Sequence, residues 1–122
     1  MREFKVVIAG GRNFNNYPML KSKLDNLLHG KLLTSKVIIV CGGARGADAL
    51  GERYAKERGL SINYCLADWD KYGKSAGYKR NKVMSKCSDA TVAFWDRKSK
   101  GTKHMIDLTK AAGNLLRVVN YE

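Results

Sequence analysis

Two periodicities alternate along the chain. Short runs rich in β-branched and aromatic residues occur at residues 4–9, 37–40, 61–66, 89–95 and 115–119, and each reads as a strand. The run at 37–40 has no polar interruption, as expected of a strand covered on both faces. Between the runs, apolar residues recur every three or four positions. Leu20, Leu24, Leu27, Leu28 and Leu32 form one such stripe, and Ala47, Leu50, Tyr54 and Ala55 a second. Val83, Met84 and Cys87 share a helix face with Arg80, and Met105, Leu108 and Ala112 share another. Pro18 suits a first helical turn, while Gly30, Gly59 and Gly113 suit helix stops. Residues 67–77 show no periodicity and read as a long polar connection. Five alternations of strand and helix predict an α/β fold. It is a single domain over residues 1–122, with a parallel sheet of about five strands and helices on both faces.

Three strand ends carry glycine turns with basic residues nearby: Gly10-Gly11-Arg12, then Gly42-Gly43-Ala44-Arg45-Gly46 followed by Ala47-Asp48, and finally residues 96–102 with Ser99, Gly101 and Thr102. In a parallel sheet all three lie at the carboxyl edge, where ligands bind at the reversal of strand order. A glycine turn opening a helix presents unpaired N–H groups and the positive end of the helix dipole to an anion. Arg45 and Arg80 add guanidinium groups able to clamp a phosphate, Arg80 because its helix begins at the same edge. A dipole contributes about 0.3–2 kcal/mol, and a charged arginine hydrogen bond about 1.5–3 kcal/mol. After association costs that is weak binding, so a base or sugar is also needed. Trp69, Tyr72 and Trp95 lie in or beside the edge loops. They suit either stacking on a base or a hydrophobic lid or subunit contact.

Composition narrows the classes. The 122 residues carry 23 Lys and Arg against 11 Asp and Glu, a formal charge of +12, which favours an anionic partner. The cations are spread along the whole chain, so part of that charge is solvated surface. No apolar run approaches the ~20 residues needed to span a bilayer, and nothing at the start resembles a signal peptide. Cys41, Cys65 and Cys87 are scattered and have neither a disulfide-framework nor a zinc spacing. They read as reduced thiols of a cytoplasmic protein. Cys41 at the end of a buried strand reads as packing rather than as a nucleophile. There is no GxxxxGK[ST] and no GxGxxG with a downstream acid, and neither His29 nor His104 has a ligand partner by spacing. The expectation is no metal and no cofactor.

The order GG(R), CGGARGAD, ADWxxxGxxAGxxRNxxM and SDATVAFWxxxSxGTxxMI resembles the small YspA-type branch of the SLOG superfamily across roughly Val6 to Gly113. That resemblance implies a Rossmann-like fold, a nucleotide or nucleotide-derived ligand, a homo-oligomer, and a bacterial or phage setting. The superfamily includes the Lonely Guy phosphoribohydrolases and the Smf proteins that hold single-stranded DNA. Arg80-Asn81 and Met84 look like the phosphoribohydrolases' Arg-Lys and Met helix, Ser88-Asp89-Ala90 like their strand entry, and Lys98 to Thr102 like their glycine turn. Their catalytic glutamate follows Gly-Thr, where this chain has Lys103-His104-Met105.

Three functions follow. The first is a module binding a nucleotide-derived phosphate. Gly10, Gly11, Gly42, Gly43, Gly46 and Gly101 frame the site, with Arg12, Arg45 and Arg80 for charge and Ala44, Asn81, Ser99 and Thr102 lining it. Asp48, Asp68 or Asp96 would meet ribose hydroxyls, and Trp69 or Trp95 would stack. The second is a nucleotide N-glycosidase with Arg80 on the phosphate and Asp48 or Asp96 as acid/base, since that chemistry needs a carboxylate. The third is a single-stranded nucleic-acid binder.

Overall fold

The computed structural model describes residues 2–121. Its five strands are β1 (Glu3–Gly10), β2 (Lys36–Cys41), β3 (Ser61–Tyr64), β4 (Ala90–Trp95) and β5 (Leu115–Asn120). All pair in parallel, in the order β3-β2-β1-β4-β5. The chain moves outward from β1 to β3 and then returns to β4 on the other side. The reversal therefore falls between β1 and β4, opening a crevice above their carboxyl ends.

Strand alternation sorts the core into two layers. Val6, Ile8, Val37 and Ile39 point to one face, where Leu20, Leu24 and Leu28 of α1 (Tyr17–Thr34) and Tyr54 and Ala55 of α2 (Ala47–Arg58) cover them. Val7, Ala9 and Val40 point to the other, against Met84 of α4 (Ala76–Lys86) and Met105 of α5 (Lys100–Ala112). The fold is thus the expected Rossmann-like α/β architecture.

Four local expectations need correction. Gly30 does not end α1, which continues to Thr34. A Cβ at Gly30 would stand in open space, and the cost of one exposed helical glycine, about 1 kcal/mol, is outweighed by the packing of Leu27 and Leu32. Residues 67–77 are largely helical: Asp68 caps the short α3 (Trp69–Tyr72) by accepting the Lys71 N–H at 3.1 Å, and a 3-10 turn (Gly73–Ser75) leads into α4. The inner face of α4 is also rotated from the apolar stripe, with Asn81 buried and Val83 55% exposed. A buried asparagine with partners displaces a valine that periodicity alone would place inside. On α5, Thr102, Met105, Ile106 and Thr109 are buried, while Leu108 is half-buried and Ala112 exposed. Gly59 and Gly113 end α2 and α5 in left-handed conformations, as anticipated.

Candidate functional site

A cleft of about 530 Å³ opens over the carboxyl ends of β1 and β4. Gly10, Gly11, Arg12 and Asn13 form its floor and one rim. Trp69, Lys74, Gly77, Tyr78, Arg80 and Asn81 form the α3–α4 wall, and Asp96, Lys98, Ser99, Gly101 and Thr102 the β4–α5 wall. Met84 and Met105 close the base.

Arg80 is held rather than loose. Its Nη1 donates to the Gly42 carbonyl at 2.7 Å, and its Nε donates to Asn81 Oδ1 at 3.3 Å. Asn81, itself buried, reaches α5 through Nδ2, 3.4 Å from the Gly101 carbonyl and 3.2 Å from His104 Nδ1. His104 lies edge-on to the Tyr78 ring at 4.6 Å. Burial, with the Lys82 charge, lowers the His104 pKa, which keeps the ring neutral near pH 7. One asparagine therefore fixes a guanidinium and ties both walls together.

The two cleft carboxylates differ sharply. Asp96 accepts the N–H groups of Lys98 and Ser99, both at 2.8 Å, and these bonds lower its pKa. It clamps the β4–α5 turn, in which Arg97 adopts a left-handed φ of 69°. Asp48 is 8% exposed and accepts one long hydrogen bond, from the Ala44 N–H at 3.3 Å. Desolvation pushes its pKa up to about 6, against the opposing effects of Arg80, the Ala44 N–H and Arg12. No ion pair reaches Asp48 among the described residues.

The central glycine turn is used differently from its apparent promise. The first N–H of α2, on Ala47, donates to the Gly11 carbonyl at 3.3 Å. Gly46 has φ +80°, and a Cβ there would lie 2.2 Å from that same carbonyl. Gly42 presents its carbonyl to Arg80, and Gly43 packs under Leu66. Of this turn and the first residues of α2, Ala44 and Asp48 reach the cleft; Gly42, Gly43, Arg45 and Gly46 do not line it. Asp68 caps α3 outside the lining. Trp95 also lies outside, its Nε1 donating to the Ser99 carbonyl at 3.1 Å. Trp95→Phe is therefore expected to cost about 1 kcal/mol in urea unfolding, whereas a residue present only for stacking would leave the midpoint unchanged. Cys41 is buried, its Sγ contacting the Asp48 carbonyl at 3.6 Å, and burial raises its pKa.

Asn13, Lys74, Gly77, Tyr78, Met84, Lys98 and Met105 line the cleft without having been singled out as ligand contacts. Gly77 sits at helical spacing from Arg80 and Met84, so that spacing carries a signal for it. The others depend on tertiary contacts. Met105 stands in the segment after Gly-Thr where the phosphoribohydrolases have glutamate, and it is fully packed. Tyr121 lies with its ring 4.6 Å from Phe14 and its hydroxyl against Gly11. Among the described residues no cluster of His, Cys, Asp and Glu is placed to hold a metal, and no helix is long and apolar enough to cross a membrane.

A family profile described as the YspA, cpYpsA-related SLOG family matches residues 4–72. The Gene 61 protein of Mycobacterium phage D29 is 32% identical, over 96% of this chain and 95% of that protein. Among solved structures, DNA processing protein A from Streptococcus pneumoniae superposes over 99% of this chain with a TM-score of 0.73 at 13% identity. This chain spans about half (51%) of that one. TM1055 superposes over 95% of this chain and 72% of its own, with a TM-score of 0.63 at 19% identity. At those identities the structural likenesses establish the fold.

Proposed function

The chain belongs to the YspA, cpYpsA-related SLOG family, and from that premise we propose that its sheet-edge cleft binds a phosphorylated, nucleotide-type ligand. The observation that carries this reading is the Arg80 guanidinium, pinned by Gly42 and Asn81 with its remaining N–H groups available to the cleft. Arg12 and Lys98 add charge, and Gly101 at the start of α5 lets an anion approach the backbone, since nothing lies within 4 Å of its missing Cβ. Asp48 is the acceptor for a sugar hydroxyl, and Trp69 and Tyr78 offer faces for a base. A volume of about 530 Å³ accommodates a nucleotide.

Asp48 favours a second reading, hydrolysis of the N-glycosidic bond. A buried carboxylate titrating near pH 6 is suited to take a proton from an attacking water. Asp96, engaged with two N–H groups, is not.

Both readings are tested in one set of mixtures. Calorimetric titration with ribonucleoside 5′-monophosphates and diphosphates should give saturable heats, with a matching rise in melting temperature. No heat and no shift with any nucleotide at millimolar concentration would overturn the binding reading. Release of free base from the same mixtures supports hydrolysis; intact nucleotide after prolonged incubation with bound protein removes it and leaves binding standing.

A further inference from the structure

The cations are less evenly spread in space than along the chain. Residues 71–88 carry six Lys or Arg and residues 97–106 carry four, and neither segment contains a carboxylate. The fold sets these segments side by side, because α4 and α5 pack against each other on one face of the sheet. Of the ten cations, all but Arg80 are exposed. Among the described residues only Lys103 has an acidic partner, Asp107 at 2.9 Å. Nine of the 23 basic residues thus stand without an acidic partner in a band along and beside the cleft.

Aromatic side chains break the surface at the same place. Trp69, Tyr72 and Tyr78 are 49%, 39% and 45% exposed. Tyr72 lies outside the cleft, and the ammonium groups of Lys71 and Lys79 stand 5.1 and 4.7 Å from its ring centroid. A solvated basic helix needs no exposed rings, and an acidic protein surface would answer the charge but not the rings. Base faces alternating with phosphates fit both features.

We propose that the α3–α4–α5 face binds single-stranded nucleic acid, its phosphates running along the basic band and a base stacking on Tyr72. The proposal stands on Tyr72 and on the cations of this face that do not line the cleft; Lys74, Arg80 and Lys98 are shared with it.

The test uses the full chain and a labelled fifteen-residue oligothymidylate, with a duplex of equal length and heparin as competitors. Binding is expected with log K falling against log salt at a slope of about −3, as for four phosphates on a single strand. Tyr72→Ala should weaken it about tenfold while keeping that slope. The exposed pair Lys79→Glu with Lys82→Glu should lower both affinity and slope.

Absence of binding at 50 mM salt overturns the proposal, as does tighter binding of the duplex. So does a Tyr72→Ala variant that binds like wild type while heparin competes fully, which would leave only a polyelectrolyte surface. Titrating each variant with a nucleoside monophosphate separates the two sites: strand binding weakened with monophosphate binding kept is the expected result, whereas variants that keep full strand binding sink this inference alone, and a wild type that binds the strand but no monophosphate sinks the cleft reading alone.

Discussion

Arg80→Ala is expected to weaken binding of a nucleoside monophosphate between a hundredfold and a thousandfold. Two charge-assisted hydrogen bonds to a phosphate contribute about 3–4 kcal/mol when the guanidinium is already oriented. Here the orientation is built in: Gly42 and Asn81 hold two of the five N–H groups and leave the rest for the cleft. Arg80→Lys keeps the charge but loses the fork and both anchors, so it should recover little. The loss is read by calorimetry alongside far-ultraviolet circular dichroism, because removing Arg80 also orphans the Gly42 carbonyl. Affinity within threefold of wild type, in a folded variant, would show that the phosphate lies elsewhere.

Asp48→Asn is expected to make the protein more stable at neutral pH by about 3 kcal/mol. The sign follows from the direction of the shift. Burial raises the Asp48 pKa from 3.8 to about 6 in the folded chain, so the folded state holds its proton more tightly than the unfolded state. Wild type is therefore most favoured below pH 4, loses stability as pH rises through 6, and remains at the lower level above it. Asparagine keeps an acceptor for the Ala44 N–H without the buried charge. Urea unfolding of both proteins from pH 3.5 to 8 should show curves that separate with rising pH and converge near pH 4. Parallel curves would mean that Asp48 is not desolvated in solution. A carboxylate kept at that cost to stability is expected where it serves a ligand, so the same variant should lose affinity or base release.

The order of elements was legible because each strand and helix announces itself locally. β-branched runs, leucines four apart and glycines after the last helical turn need no tertiary information. The misjudged points are those settled by distant partners. Gly30 is a stop signal overridden by leucines on both sides of it, and Val83 gives way to Asn81 because Arg80, Gly101 and His104 satisfy an amide. The site was legible to the same extent. Three glycine turns at one edge and an arginine pointing at them follow from strand-helix order. That the turn at residues 42–46 would give the cleft only Ala44, with the Gly42 carbonyl serving Arg80 and Gly46 pressed on Gly11, follows only from contacts between loops. The charge shows the same limit: it looks diffuse along the chain and becomes a band once α4 lies against α5.

The bond from the Ala47 N–H to the Gly11 carbonyl, with Gly46 pressed on the same group, fastens the β1 and β2 loops to each other in the free protein. Its consequence lies in time. A rim already fastened by main chain on that side need not fold there before a ligand arrives, so entry past it is set by diffusion toward a basic edge, a rate that falls as salt screens the charge. Competing nucleotides would then arrive almost equally fast, and the protein would tell them apart by how long each one stays.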